Sequence, residues 1–164
     1  MPIYNKTYNN VITTLKNLGE EHQQIATTTT GSIFDIDLEK NTKYPLMHIN
    51  PVNVTTGRVG LTYNFQIFVM DMVKDDNSNE QEVYSEVLGI CVDIISIFRN
   101  SKWQSQVTLD LDAPVYFAEG NFTLEPFTER FDNTLAGWTL NLPIVIEWTY
   151  DTCEIPTATD ICLK

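Results

Sequence analysis

The sequence predicts an α+β domain: a mainly antiparallel sheet with an N-terminal helix and a central amphipathic helix packed on one face. Apolar residues recur at spacings of three and four in two segments, 3–18 and 80–99. Elsewhere they alternate with polar residues, as in half-buried strands. The order is helix, three strands, helix, then two or more strands, which is not the βαβ alternation of a doubly wound parallel sheet. The 164 residues fit a single domain over 1–150, with 151–164 as a C-terminal tail. A domain of this size buries roughly 70% of its unfolded surface.

In the first helix Tyr4, Tyr8, Val11, Ile12, Leu15 and Leu18 share one face, and Gly19 reads as its stop. Residues 20–31 are polar and end in four threonines and Gly31, which suits a loop or the approach to a strand. A strand follows over 32–38, with Phe34, Ile36 and Leu38 opposite Asp35 and Asp37. The segment 44–54 is a second strand, and Pro45 and Pro51 make it an edge or an interrupted strand. Gly57 and Gly60 mark a turn, and a long strand runs from Leu61 to Val73. That strand begins apolar on one side (Tyr63, Phe65, Ile67, Val69) and becomes apolar on both (Phe68, Met70, Met72), so its second half is covered twice.

The helix at 80–99 is the strongest pattern in the chain. Val83, Val87, Ile90, Cys91, Ile94, Ile95 and Phe98 form its stripe. Asn79 with Glu82 fits a side-chain cap, Arg99 suits the last turn, and Asn100 reads as a left-handed terminator. Alternation returns over 106–118, with Val115 and Phe117 among the inward residues, and 119–135 reads as a polar, aromatic-studded connection. The last strand spans 136–149, with Trp138, Leu140, Leu142, Ile144, Ile146 and Trp148 on one side and Pro143 signalling an edge or a bulge.

Net charge is −12 with two histidines and three cysteines. Such an acidic chain is unsuited to wrapping nucleic acid, since that binding comes from Lys and Arg neutralising phosphates. The first 20 residues carry no apolar signal region, and no apolar run approaches the ~20 residues of a membrane helix. Cys91 lies on the helix stripe as a small core residue. Cys153 and Cys162 are able to pair, but without a secretory signal free thiols are expected. The sequons at Asn5, Asn53 and Asn121 are what composition alone produces.

No nucleophile, P-loop or dinucleotide motif is present, and His22 and His48 lie in no metal-ligand spacing. Asp35 with Asp37 and Asp110 with Asp112 each place two carboxylates on one strand face. Acid/base work is one reading, and the solvated side of a strand is the favoured one. Trp103, Trp138 and Trp148 suggest a sugar-stacking platform, though two of them fall on the apolar phase of the last strand. Asp75 and Asp76, in the polar knot 74–79, are candidate cation ligands; the favoured reading is a turn that leads into the helix. No cofactor and no metal are expected.

The strand "TYNFQIFVMDMV", a short acidic turn, the helix "EVYSEVLGICVDIISIFRN" and the preceding "YPLMHINP" strand, with a helix first in order, together resemble the tail-completion and tail-terminator proteins of tailed bacteriophages. The resemblance spans 3–149 and is one of pattern. It implies a structural role without catalysis: a homo-oligomeric ring at the neck or tail-tube end, hexamer favoured and dodecamer possible, in contact with neck or tail-tube proteins. DNA would pass the lumen without specific binding. The protein would be made in the host cytoplasm and end in the virion, with no membrane partner. Arg58, in the turn around Thr55–Gly60, and the Asp75–Asp76 pair are the expected interface residues between neighbours. The alternatives are a small carbohydrate- or ligand-binding module and an enzyme using the Asp pairs.

Overall fold

A computed structural model of the chain describes residues 8–32, 42–58, 60–100, 116–118, 120–130, 134–148 and 150–158. Its elements are α1 (Tyr8–Glu21), β1 (Thr27–Thr30), β2 (Leu46–Thr56), β3 (Gly60–Val73), α2 (Glu80–Arg99), β4 (Leu124–Arg130), β5 (Thr134–Glu147) and a 3₁₀ turn (Thr152–Glu154). The strands form one five-stranded sheet in the order β1-β2-β3-β5-β4. β1 runs parallel to β2; the other neighbours are antiparallel. The α+β architecture expected from the sequence is the one observed.

Both helices lie on the same face of the sheet. Val11, Leu15 and Leu18 of α1 and Val83, Val87, Ile90, Cys91, Ile94 and Phe98 of α2 join Met47, Ile49, Phe65, Ile67, Leu140 and Leu142 in one core. Each buried aliphatic or aromatic side chain contributes about 1.5–3 kcal/mol, and this layer is where the fold's stability is concentrated. α2 spans the predicted residues. α1 is described from Tyr8, and its expected first turn and the strand at 32–38 lie largely or wholly outside the described residues.

Gly19 does not stop α1, which continues to Glu21. A Cβ at this position would lie 2.3 Å from Thr28 Oγ1 and 2.7 Å from Thr28 Cγ2, so the glycine lets the helix close on β1. Asn79 does not cap α2 with its side chain. Its Oδ1 accepts from the Lys74 N–H at 2.8 Å and closes the preceding turn, while its carbonyl accepts the Val83 N–H. Asn100 is extended (φ −126°), not left-handed. Arg99 instead secures the exit: it donates to the Gly120 carbonyl at 2.6 Å and lies over the Phe122 ring.

The sheet bears out the reading of the proline-bearing strands as edge or interrupted strands and corrects two further expectations. β2 is an edge only in part, because β1 covers Leu46–Ile49 and the bulge between Pro51 and Asn53 begins where that cover ends. Pro143 likewise lies beyond Leu140, the last β5 residue paired with β4, so neither proline removes a donor that a described neighbour uses. The segment read as a connection contains β4, an outer strand paired to β5. In the segment 116–118 the phase is reversed: Tyr116 and Ala118 are buried and Phe117 is 45% exposed, bridged to Val145 of β5. The two-sided burial of β3 is observed from Ile67 to Met70, with Leu46, Phe68, Met70 and Leu135 forming a second small cluster.

Candidate functional site

His22 follows α1 and reaches across to α2. Its Nε2 lies 3.0 Å from Asp93 Oδ2, and its Nδ1 accepts the backbone N–H of Gln24 at 3.2 Å. The second contact fixes the neutral tautomer: Nδ1 is the acceptor, so Nε2 carries the proton and donates to Asp93. Two adjoining shallow hollows of about 340 and 390 Å³ surround the pair, with Ser96, Ile97 and Gln23 on their walls. The residue types of a hydrolytic triad are therefore close together, but their arrangement is not one. Both ring nitrogens are engaged, and Ser96 Oγ donates to the Val92 carbonyl at 2.8 Å. A general base needs a free ring nitrogen facing the nucleophile. A metal at Nε2 would require the proton at Nδ1, where the Gln24 N–H already points. The pair is best described as a tie between the α1–β1 connection and α2.

His48 is fully buried on the other face of the sheet, with Nδ1 2.7 Å from Thr29 Oγ1. Among the described residues no three His, Cys, Asp or Glu side chains are grouped as a metal site. Asp75 and Asp76 are both exposed, and Asp76 accepts the Ser78 N–H at 3.0 Å. That hydrogen bond holds its carboxyl below the ordinary carboxylate range. Asn77 takes a left-handed conformation (φ 58°), completing a turn whose polar groups serve one another. Asp35, Asp37, Asp110, Asp112 and Trp103 lie outside the described residues.

Trp138 is half-buried beneath α2. Its Nε1 donates to the Tyr84 carbonyl at 2.8 Å, and the two rings meet edge to face. Tyr84 in turn donates its hydroxyl proton to the Phe127 carbonyl at 3.2 Å. This docking of α2 onto β4 and β5 fills the space a sugar ring would need over Trp138. Trp148 is half-buried just past β5. Cys91 is fully buried, and burial pushes its thiol up to about 12.

Arg58 is exposed at the β2–β3 turn, at the opposite end of β3 from Asp75 and Asp76. The 14 residues of β3, at roughly 3.3 Å each, place the two groups about 45 Å apart, so one chain does not bring them together. The turn itself is held by a residue the sequence did not single out. The Tyr150 hydroxyl lies 2.8 Å from the carbonyls of both Gly57 and Gly60, and Gly57 N–H donates to Gly60 O. Tyr150 reaches there from a left-handed backbone conformation (φ 50°), and Asp151 next to it accepts the Cys153 N–H. Cys153 is disulfide-bonded, against the expectation of a free thiol. The start of the tail is thus a fixed brace on the turn that carries Arg58.

Compared with known proteins, the chain matches no family model and no curated relative. Among the described residues no helix is long and apolar enough to cross a membrane.

Proposed function

We propose that this chain is a structural subunit of a tailed bacteriophage, forming a ring at the neck or the tail-tube end without catalysis. The observation that supports it most is the order of elements: a helix, a β2–β3 hairpin with a long second strand, a short acidic turn, then α2 laid over β3 and β5 of the same sheet. That is the pattern on which the resemblance to tail-completion and tail-terminator proteins rests. The locked His22–Asp93 pair and the covered Trp138 favour an interaction protein over an enzyme or a sugar-binding module. A net charge of −12 suits a channel that DNA slides through, because like charge opposes tight phosphate contact.

In this reading the subunits form a closed ring, hexameric or dodecameric, through a contact between two different patches. Arg58 and the Asp75–Asp76 turn lie at opposite ends of β3, as a head-to-tail contact between neighbours requires. The braced turn presents Arg58 in a defined place, and the charge pair fixes register. Neck or tail-tube proteins are the other partners, and the virion is the destination. Negative-stain imaging of the purified chain, alone and with tail material, tests the proposal. Rings, alone or on the tube end, are the expected image. Monomers that never decorate the tail, even at high concentration, contradict it. Rings that form normally with Arg58→Glu would remove the proposed contact and leave the ring.

A further inference from the structure

The sheet face away from the helices divides in two. Towards the α2 end, Leu46, His48, Phe68, Met70 and Leu135 are buried. Towards the β2–β3 turn the same face is open. There the register aligns Asn50 with Gln66 and Asn141, Asn53 with Asn64 and Pro143, and Thr55 with Thr62 and Val145. Asn141, Asn53 and Thr55 are exposed, Val145 is 48% exposed, and Phe117 beside it is 45% exposed. The amides run across the strands: Asn50 donates to Gln66 at 3.3 Å, and Asn64 donates to Asn53 at 2.7 Å. The segments 50–56, 61–67 and 141–146 contain no Asp, Glu, Lys or Arg, although one residue in five of the whole chain is charged and the net charge is −12.

Two copies of a strongly acidic chain repel wherever their carboxylates face each other. They approach most easily through a field without charge. Amide and hydroxyl side chains are both donors and acceptors, so this field is complementary to itself. The Phe117–Val145 pair adds apolar surface that gains from being covered. We propose that this open half of the sheet face is a self-association surface, packing against the same surface of a second copy. Three strands about 4.8 Å apart, over six residues of roughly 3.3 Å rise, outline about 300 Å² before Phe117 is added. A standard interface buries ~800 Å² per partner, so the contact is weak alone and strengthens when other contacts hold the copies together. It rests on the ring reading only for its place in an assembly: a two-fold contact of this kind joins one head-to-tail ring to another, and it exists in solution whether or not rings form.

Sedimentation velocity of the full chain, up to about millimolar concentration and at low and high salt, tests the inference. The wild type should associate as concentration rises, and more so at high salt, where the like charges are screened. Val145→Glu puts a carboxylate in the field at an exposed position and should weaken association by more than about tenfold, with an unchanged melting temperature. Ser85→Glu, on the exposed side of α2, should associate as the wild type does. A wild type that stays monomeric throughout, or a Val145→Glu chain that associates normally, overturns the proposal; in the first case the face is left to a different protein. Pairs in solution, with no ring formed either alone or on the tail tube, would sustain this surface and sink the ring reading. Rings assembled normally from Val145→Glu would do the reverse.

Discussion

Tyr63, Phe65, Ile67 and Val69 lie under the helices, whereas Thr62, Asn64 and Gln66, their neighbours in β3, lie on the opposite face and stay partly open. One strand therefore supplies both a core and a surface. On the helix side, side chains are fixed by volume, and a change of one or two carbons is felt. On the open side they are fixed by lateral amide contacts within reach of water, where a hydrogen bond is readily replaced. The comparison separates residues that hold the fold from residues free to meet a partner. It implies that substitutions on the two sides differ in kind.

The largest expected effect is on the helix side. Ile94→Ala, at a fully buried site of α2, should cost about 2–5 kcal/mol, measured by urea denaturation. Glu86→Ala, on the exposed side of the same helix, should stay within about 0.5 kcal/mol. Equal losses would erase the distinction between the faces. A second substitution turns on sign. In an exposed helix, replacing Gly by Ala gains about 1 kcal/mol. At Gly19 the added methyl meets Thr28, so Gly19→Ala should instead cost about 1–3 kcal/mol. A gain in stability would show that α1 does not close on β1 as described.

Smaller effects are expected at the turn. Tyr150→Phe removes the hydroxyl from the Gly57 and Gly60 carbonyls and should cost about 0.5–1.5 kcal/mol. Hydrogen exchange at the Gly57 amide should speed up locally, while exchange in α2 stays unchanged. An unaltered turn would show that the tail does not brace it. The smallest effect concerns Asp71, at the far end of β3. Burial raises its carboxyl above the ordinary value of 3.8. The folded state thus binds the proton more tightly than the unfolded state. Stability from this group is greatest below the ordinary carboxylate range and falls as pH rises through the raised value. Asp71→Asn keeps an oxygen for the Met72 N–H and should raise the melting temperature at neutral pH but not near pH 3. An identical shift at both pH values would remove the burial explanation.

The long, regular elements were legible because many residues repeat one signal. Six stripe positions of α2 that the spacing marks are buried, and the inward phase of β5 is as read from Leu140 to Ile146. The misreadings came from residues whose role is set by distant chain. Gly19 looks like a helix stop locally and is a close-approach site only because β1 lies against it. β4 contains Pro126 and three charged residues, and is a strand because β5 pairs with it. Phe117 follows an apolar alternation but lies on the exposed side of its single bridge. For the candidate site, the exposure of Arg58, Asp75 and Asp76 was legible from their turns. The brace on Arg58 was not, since Tyr150 acts across 90 residues or more. Nor was the engagement of both His22 nitrogens, one of which depends on Asp93 in another element.

The central proposal is that these surfaces serve an assembly. A cryo-electron microscopy reconstruction of assembled phage particles, with the chain fitted into the neck and the tail-tube end, tests it most directly. The expected result is a closed ring of copies, with the Arg58 turn of each subunit facing the Asp75–Asp76 turn of its neighbour. Isolated copies, or particles that lack the protein while the purified chain turns over a substrate, would contradict it.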